Sequence, residues 1–120
     1  GYIDGRFRIG ITLIDMDGTA KIMSIESDLG FSLPEGFEGI YITSIAEDCD
    51  ISKTDLKPKD FITAINGQSV KTYSEFYDTI SGMYGAGDVV PATCAHLEKD
   101  KEPVYYNIEF RLMEDTSGNY

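Results

Sequence analysis

Leu56-Lys57-Pro58-Lys59-Asp60-Phe61-Ile62-Thr63-Ala64-Ile65-Asn66-Gly67 is the stretch that decides the reading of this chain. Pro58 fixes its own φ and biases Lys57 toward extended geometry, so the segment opens on a rigid turn. Asp60 can cap that turn. Phe61, Ile62 and Ile65 supply the apolar contacts of a half-buried strand, and Asn66-Gly67 takes positive φ at little cost, closing a second tight turn. Taken alone this is a β-hairpin of any α+β domain, and its flanks have to narrow it.

On either side of it, four more segments read as strands: 8–14, 39–45, 88–97 and 104–113. The last alternates cleanly, with Val104, Tyr106, Ile108, Phe110 and Leu112 on one face and Tyr105, Asn107, Glu109 and Arg111 on the other. Residues 98–103 form the charged hairpin loop before it. Pro91 cannot donate to a ladder, so a bulge or an edge position is expected there. Thr72-Tyr73-Ser74-Glu75 is a capping box that opens a helix ending near Gly82. Phe76, Ile80 and Met83 form its inner stripe, and Tyr73 and Tyr77 a second stripe beside it. A short helix is expected over 50–54. Between Asp15 and Gly36 two readings compete: a hairpin closed by Met16-Asp17-Gly18, or a helix over 19–29. The helix is favoured because Leu29-Gly30-Phe31 has the form of a C-cap with its hydrophobic contact.

The chain's 120 residues suffice for one domain. Gly1 to Gly5 is expected to be a linker end, residues 6–113 the folded domain, and residues 114–120 a flexible polar tail. A net charge of −11, from 21 acids against 10 bases, argues against nucleic acid, which requires clustered Lys and Arg. No apolar run approaches the ~20 residues of a membrane-spanning helix. Any export or anchoring segment is therefore expected outside this chain. Cys49 and Cys94 have no CxxC or His/Cys spacing, so zinc is not expected. Two thiols, with Cys94 as a small core hydrophobe, are the favoured reading, and a single disulfide stays open.

Catalytic residues are not expected. His96 is the single histidine, and no Gly-x-Ser-x-Gly elbow accompanies it. Paired carboxylates are unavoidable with 21 acids and read as solvated. Asp48-Cys49-Asp50 with Ser52 and Asp55 lacks the central Gly and bidentate Glu of a Ca²⁺ loop. Gly82, Gly85 and Gly87 follow no βαβ strand, so no nucleotide site and no cofactor of any kind is expected. Arg8-Ile9-Gly10-Ile11 reads differently. Gly10 between two branched residues lets successive backbone N–H groups converge on an anion, with Arg6 and Arg8 close by.

The deciding stretch resembles the Leu-Lys-Pro-Gly-Asp-x-Ile-x-x-Ile-Asn-Gly element of PDZ domains, more narrowly those attached to HtrA/DegP-type trypsin-like serine proteases. Lys59 stands at the family's Gly, so a different turn type is expected. Ile9-Gly10-Ile11 matches the family's carboxylate-binding loop, where Arg8 replaces the usual aromatic. Gly39-Ile40-Tyr41-Ile42 is similar to Gly-Val-Tyr-Val. Ala46 to Asp55 keeps the length of the following loop but not its sequence, and Ala86-Gly87-Asp88-Val89-Val90 resembles Pro-Gly-Asp-x-Val. The order of the elements is the bacterial arrangement.

This resemblance implies a mainly β α+β fold, a PDZ-like partly open antiparallel barrel of five to six strands with two helices. It further implies a non-catalytic module that binds peptide C-termini or unfolded segments by strand addition. The peptide-binding residues implied are Ile9, Gly10, Ile11, Thr12, Leu13, Ile14, Tyr73, Tyr77 and Ile80, and the carboxylate loop is Arg8, Ile9, Gly10 and Ile11. No metal ligand is implied. The parent implied is an extracytoplasmic, membrane-anchored quality-control protease whose catalytic domain precedes Gly1. The alternative is a docking module of a non-HtrA protein, such as a site-2 or tail-specific protease or a secretion component.

Overall fold

In the computed structural model, which describes residues 7–85 and 87–114, the deciding stretch folds into two turns around a strand. Asp60 N–H donates to the Lys57 carbonyl at 3.1 Å and Lys59 carries a φ of 76°. These are the hydrogen bond and positive φ of a type II turn with Pro58 at its second position. Lys59 thus adopts the glycine conformation instead of changing the turn, at a cost of about 1–2 kcal/mol. Its N–H, held by the Ile42 carbonyl at 2.7 Å, ties the turn to the neighbouring strand.

The elements in order are β1 (Phe7–Arg8), β2 (Ile11–Ile14), α1 (Thr19–Leu29), β3 (Ile40–Ile45), a 3-10 turn (Asp50–Lys53), β4 (Phe61–Ile65), β5 (Gln68–Ser69), α2 (Tyr73–Met83), β6 (Val89–His96), β7 (Val104–Arg111) and β8 (Met113–Glu114). Six of the strands form one open antiparallel sheet, ordered β2-β3-β4-β6-β7 with β5 paired to β4; β1 and β8 form a separate ribbon. The expected first strand over 8–14 is split, because Gly10 at φ 91° turns the chain from the ribbon into the sheet. Glu114, expected in the tail, pairs with Phe7. The expected linker Gly1 to Gly5, Arg6 and the rest of the tail lie outside the described residues.

Neighbouring residues of one strand serve opposite faces of this sheet, so it is covered twice. On one face Ile42, Ile62, Ile65, Val90, Cys94 and Phe110 pack with Phe76 and Ile80 of α2. On the other, Tyr41, Phe61, Ala95 and Leu97 pack with Phe37 and with Ile25 of α1. The Phe37 ring meets Phe61 edge-on at 4.9 Å. The favoured helix over 19–29 is present, and its Gly30 cap, at φ 88°, donates to the Glu26 carbonyl. On β7 the expected inward face holds from Tyr106 to Leu112, while Val104 at the hairpin end is exposed. The inner stripe of α2 likewise stops at Ile80, with Met83 exposed.

Pro91 produces neither a bulge nor an edge, since β6 is a central strand between β4 and β7. Asn66 N–H donates to the Pro91 carbonyl at 2.9 Å, so Pro91 turns its backbone to the end of β4, where the Asn66-Gly67 turn requires no donor from it. The irregularity in this pairing falls between Ile62 and Ala64.

Asp60 does not cap its turn with its side chain. The carboxylate, 5% exposed, receives Tyr106 O–H at 2.5 Å and faces His96 Nδ1 at 2.6 Å, joining the turn before β4 to both strands of the last hairpin. The bond to Asp60 raises the His96 pKa above its usual 6.5, while burial first and Asp60 second push the Cys94 thiol up to about 12. A raised folded-state value means that imidazolium stabilises the fold fully below about pH 6.5 and that this contribution disappears as pH rises through the raised value. His96 is 46% exposed, so solvent screening holds the effect under about 1 kcal/mol. The thermal midpoint is expected to fall by a few degrees between about pH 6 and pH 8.5. His96→Asn should flatten that slope, as calorimetry across the range would show.

Candidate functional site

Ile11-Thr12-Leu13-Ile14 alternates as a strand with one face on a core. Ile11 and Leu13 pack against the α2-side core and Thr12 is exposed. Among the described residues β2 ends the sheet and pairs with β3 alone. The Gly10 carbonyl accepts from Ala46 N–H at 2.7 Å, so the backbone groups of Ile11 and Leu13 alternate to the side away from β3. That side is an unpaired edge of N–H and C=O groups facing α2.

Two bonds fix the spacing of α2 from this edge. Asp15 Oδ2 accepts Tyr73 N–H at 2.6 Å, and Met16 N–H donates to the Lys71 carbonyl at 2.8 Å. Burial alone would raise the Asp15 pKa, but Lys21 Nζ at 2.9 Å and the Tyr73 amide outweigh it and hold the carboxyl below its usual range. Its negative charge also suits the helix N-terminus. The capping box forms as expected, with Glu75 N–H on Thr72 Oγ1 at 3.2 Å and Thr72 N–H on Glu75 Oε1 at 3.3 Å.

Between edge and helix lies a groove of about 400 Å³. Residues 9–13 form one wall, Tyr73, Phe76 and Tyr77 the other, and Ser44, Ile45 and Ala46, alongside β2, complete the lining. No charged side chain lines it among the described residues. The Tyr73 and Tyr77 rings, 5.9 Å apart, stand half out of it with 51% and 39% exposure. Gly10 lines the groove with buried Cys49 directly behind it; a Cβ built on Gly10 would fall 2.3 Å from Cys49 Sγ.

The structure thus brings Ile9, Gly10, Ile11, Thr12, Leu13, Tyr73 and Tyr77 together in one concavity. Two of the expected residues are elsewhere. Ile80 is fully buried in the core beneath α2, and Phe76, one turn nearer the N-terminus, meets the groove in its place. Ile14 faces the opposite side of the sheet, against the α1-side cluster. The side chain of Arg8 is outside the described residues. Residues 44–46 were missed, because no local pattern signals that the end of β3 comes alongside Gly10; the pairing of β2 with β3 does that. His96 lies outside the groove lining, with its ring nitrogens on Asp60 and Glu98.

Residues 19–76 match the family model described as PDZ domain. Among solved structures the chain is similar to the HtrA-type protease AlgW with decapeptide, with a TM-score of 0.65 and 15% identity over 90% of this chain and 29% of that one. It is also similar to a second AlgW structure with decapeptide, with a TM-score of 0.61 and 16% identity over 96% of this chain and 31% of the other. At these identities the likeness shows the fold, and this chain spans less than a third of either protein. No curated protein sequence matches it significantly.

Proposed function

We propose that this chain, whose residues 19–76 match the PDZ model, recognises apolar C-termini or unfolded segments as an added strand on β2, as the substrate-recognition domain of an HtrA-type serine protease. PDZ domains bind peptide C-termini, and a PDZ domain alone is non-catalytic. The observation that carries the reading is the β2 edge, unpaired among the described residues, facing an uncharged, aromatic helix wall. A peptide running antiparallel to β2 exchanges backbone bonds with Ile11 and Leu13. Its terminal carboxylate meets the amides around Gly10, and its last side chain enters between Ile9, Ile11, Phe76 and Tyr77. Tyr73, where Ser/Thr-selecting members have His, favours an apolar or aromatic residue two positions upstream. The two AlgW structures are described with a decapeptide, which supports a peptide ligand here. We further propose an extracytoplasmic parent, anchored through a segment outside this chain.

Strand addition of a short peptide is weak, roughly micromolar or about −8 kcal/mol, since the peptide loses its own entropy on ordering. Amide-resolved titration with apolar-ended peptides should perturb residues 9–14 and 73–81. Amidating the peptide C-terminus is expected to weaken binding about tenfold, and added salt to weaken it mildly. Tyr77→Asp places a charge at a half-exposed wall position, and should abolish binding while leaving the melting temperature nearly unchanged. Equal affinity for acid and amide would assign the groove to internal segments. No perturbation with any apolar-ended peptide would reject the reading in favour of a docking role in a non-HtrA extracytoplasmic protein.

A further inference from the structure

The sheet has a second edge, β7, on the side away from the groove. With Pro91 turned to β4, the even-numbered residues of β6 turn their backbone to β7. The facing pairs Val90–Phe110, Ala92–Ile108 and Cys94–Tyr106 are then the bonded ones. Tyr105, Asn107, Glu109 and Arg111 therefore direct N–H and C=O away from the sheet, and all four side chains are exposed. Arg111 N–H is met by Asp50 Oδ2 at 2.7 Å, from the 3-10 turn packed over that end of β7. The outward groups of the other three have no such cover among the described residues.

We propose that this edge pairs antiparallel with β7 of a second copy of the chain, across a two-fold axis at Asn107. In that register Tyr105 faces the second copy's Glu109, and Asn107 faces its own counterpart. All outward donors and acceptors of the three residues are exchanged, and no like charges stand opposite each other. The pairing ends where the edge ends. Arg111, whose N–H Asp50 already holds, falls opposite the second copy's Pro103, which has no N–H to leave unpaired. An added peptide would find no helix beside β7 to form pockets for its side chains, whereas the edge is complementary to itself. The contact is short and joins two chains of net charge −11, so the association is weak and tightens with salt.

Sedimentation equilibrium of the 120-residue chain from about 10 µM to about 1 mM should show dimer at the upper end, and more of it in about 0.5 M salt. Amide exchange at Tyr105, Asn107 and Glu109 should slow with concentration. Asn107→Asp keeps the acceptor for Thr93 Oγ1, which now lies 3.1 Å from Asn107 Oδ1, but sets two negative charges across the axis. Asn107→Lys sets two positive ones. Each should weaken self-association by about tenfold or more, and their equimolar mixture should recover it. A monomer at every concentration and salt overturns the proposal. A dimer that both variants leave unchanged does so too, and would locate the contact elsewhere, such as one copy's C-terminal residues in another's β2 groove.

Discussion

Phe110→Ala is expected to remove about 3–5 kcal/mol of stability, a large share of the 5–15 kcal/mol typical of a domain this size. Phe110 is 1% exposed and faces Val90 in the register of the last hairpin. Its ring belongs to the core that also holds Phe76 and Ile80 of α2. Truncation therefore opens a cavity beneath the helix that forms one wall of the groove, and peptide affinity should fall along with the melting temperature. Chemical denaturation checks the magnitude. An unchanged midpoint would mean that the faces of β7 are reversed.

Gly10→Ala has the second large effect, and it acts on fold and binding together. A Cβ there would lie 2.3 Å from Cys49 Sγ and 2.5 Å from Cys49 Cβ, on a backbone at φ 91°. Cys49 is fully buried and cannot swing aside cheaply. Overpacking and the unfavourable φ together should cost about 2–4 kcal/mol and displace the loop amides, so binding of an apolar-ended peptide is lost. From the sequence, a side chain at this position is expected to obstruct the peptide's carboxylate while the fold persists. The structure changes that expectation, because the space behind Gly10 belongs to the core. A Gly10→Ala protein with wild-type stability and affinity would show that the loop relaxes freely.

Much of this architecture is legible in short-range pattern. The period-two alternation from Val104 to Leu112 identifies a strand with one buried side. Thr72 and Glu75 announce the start of α2, Gly30 the end of α1, and Pro58 and Asn66-Gly67 the turns around β4. Each of these rests on residues no more than a few positions apart, whose local free energies are fixed by backbone geometry and capping bonds. Pro91 misleads for the same reason. The penalty for its missing N–H depends on which neighbour that backbone position faces, and strand order alone sets that.

The groove divides along the same line. Its loop, its strand and one tyrosine-bearing wall could be named from Ile9-Gly10-Ile11 and the α2 stripes. Exchanging Phe76 for Ile80 is a matter of helix rotation, set by how α2 packs on the core. Ser44, Ile45 and Ala46 join through a β2–β3 pairing across some thirty residues of sequence, and Cys49 reaches Gly10 through the loop that follows. Both helices, the central strands, their turns and the family they resemble are legible in the sequence, since those depend on local conformational preference. Which side chains share the cavity, what stands behind Gly10, how the first strand splits and which sheet edges stay unpaired are settled by the assembled fold. Those depend on long-range packing, where the burial of one residue is settled by partners distant in the chain.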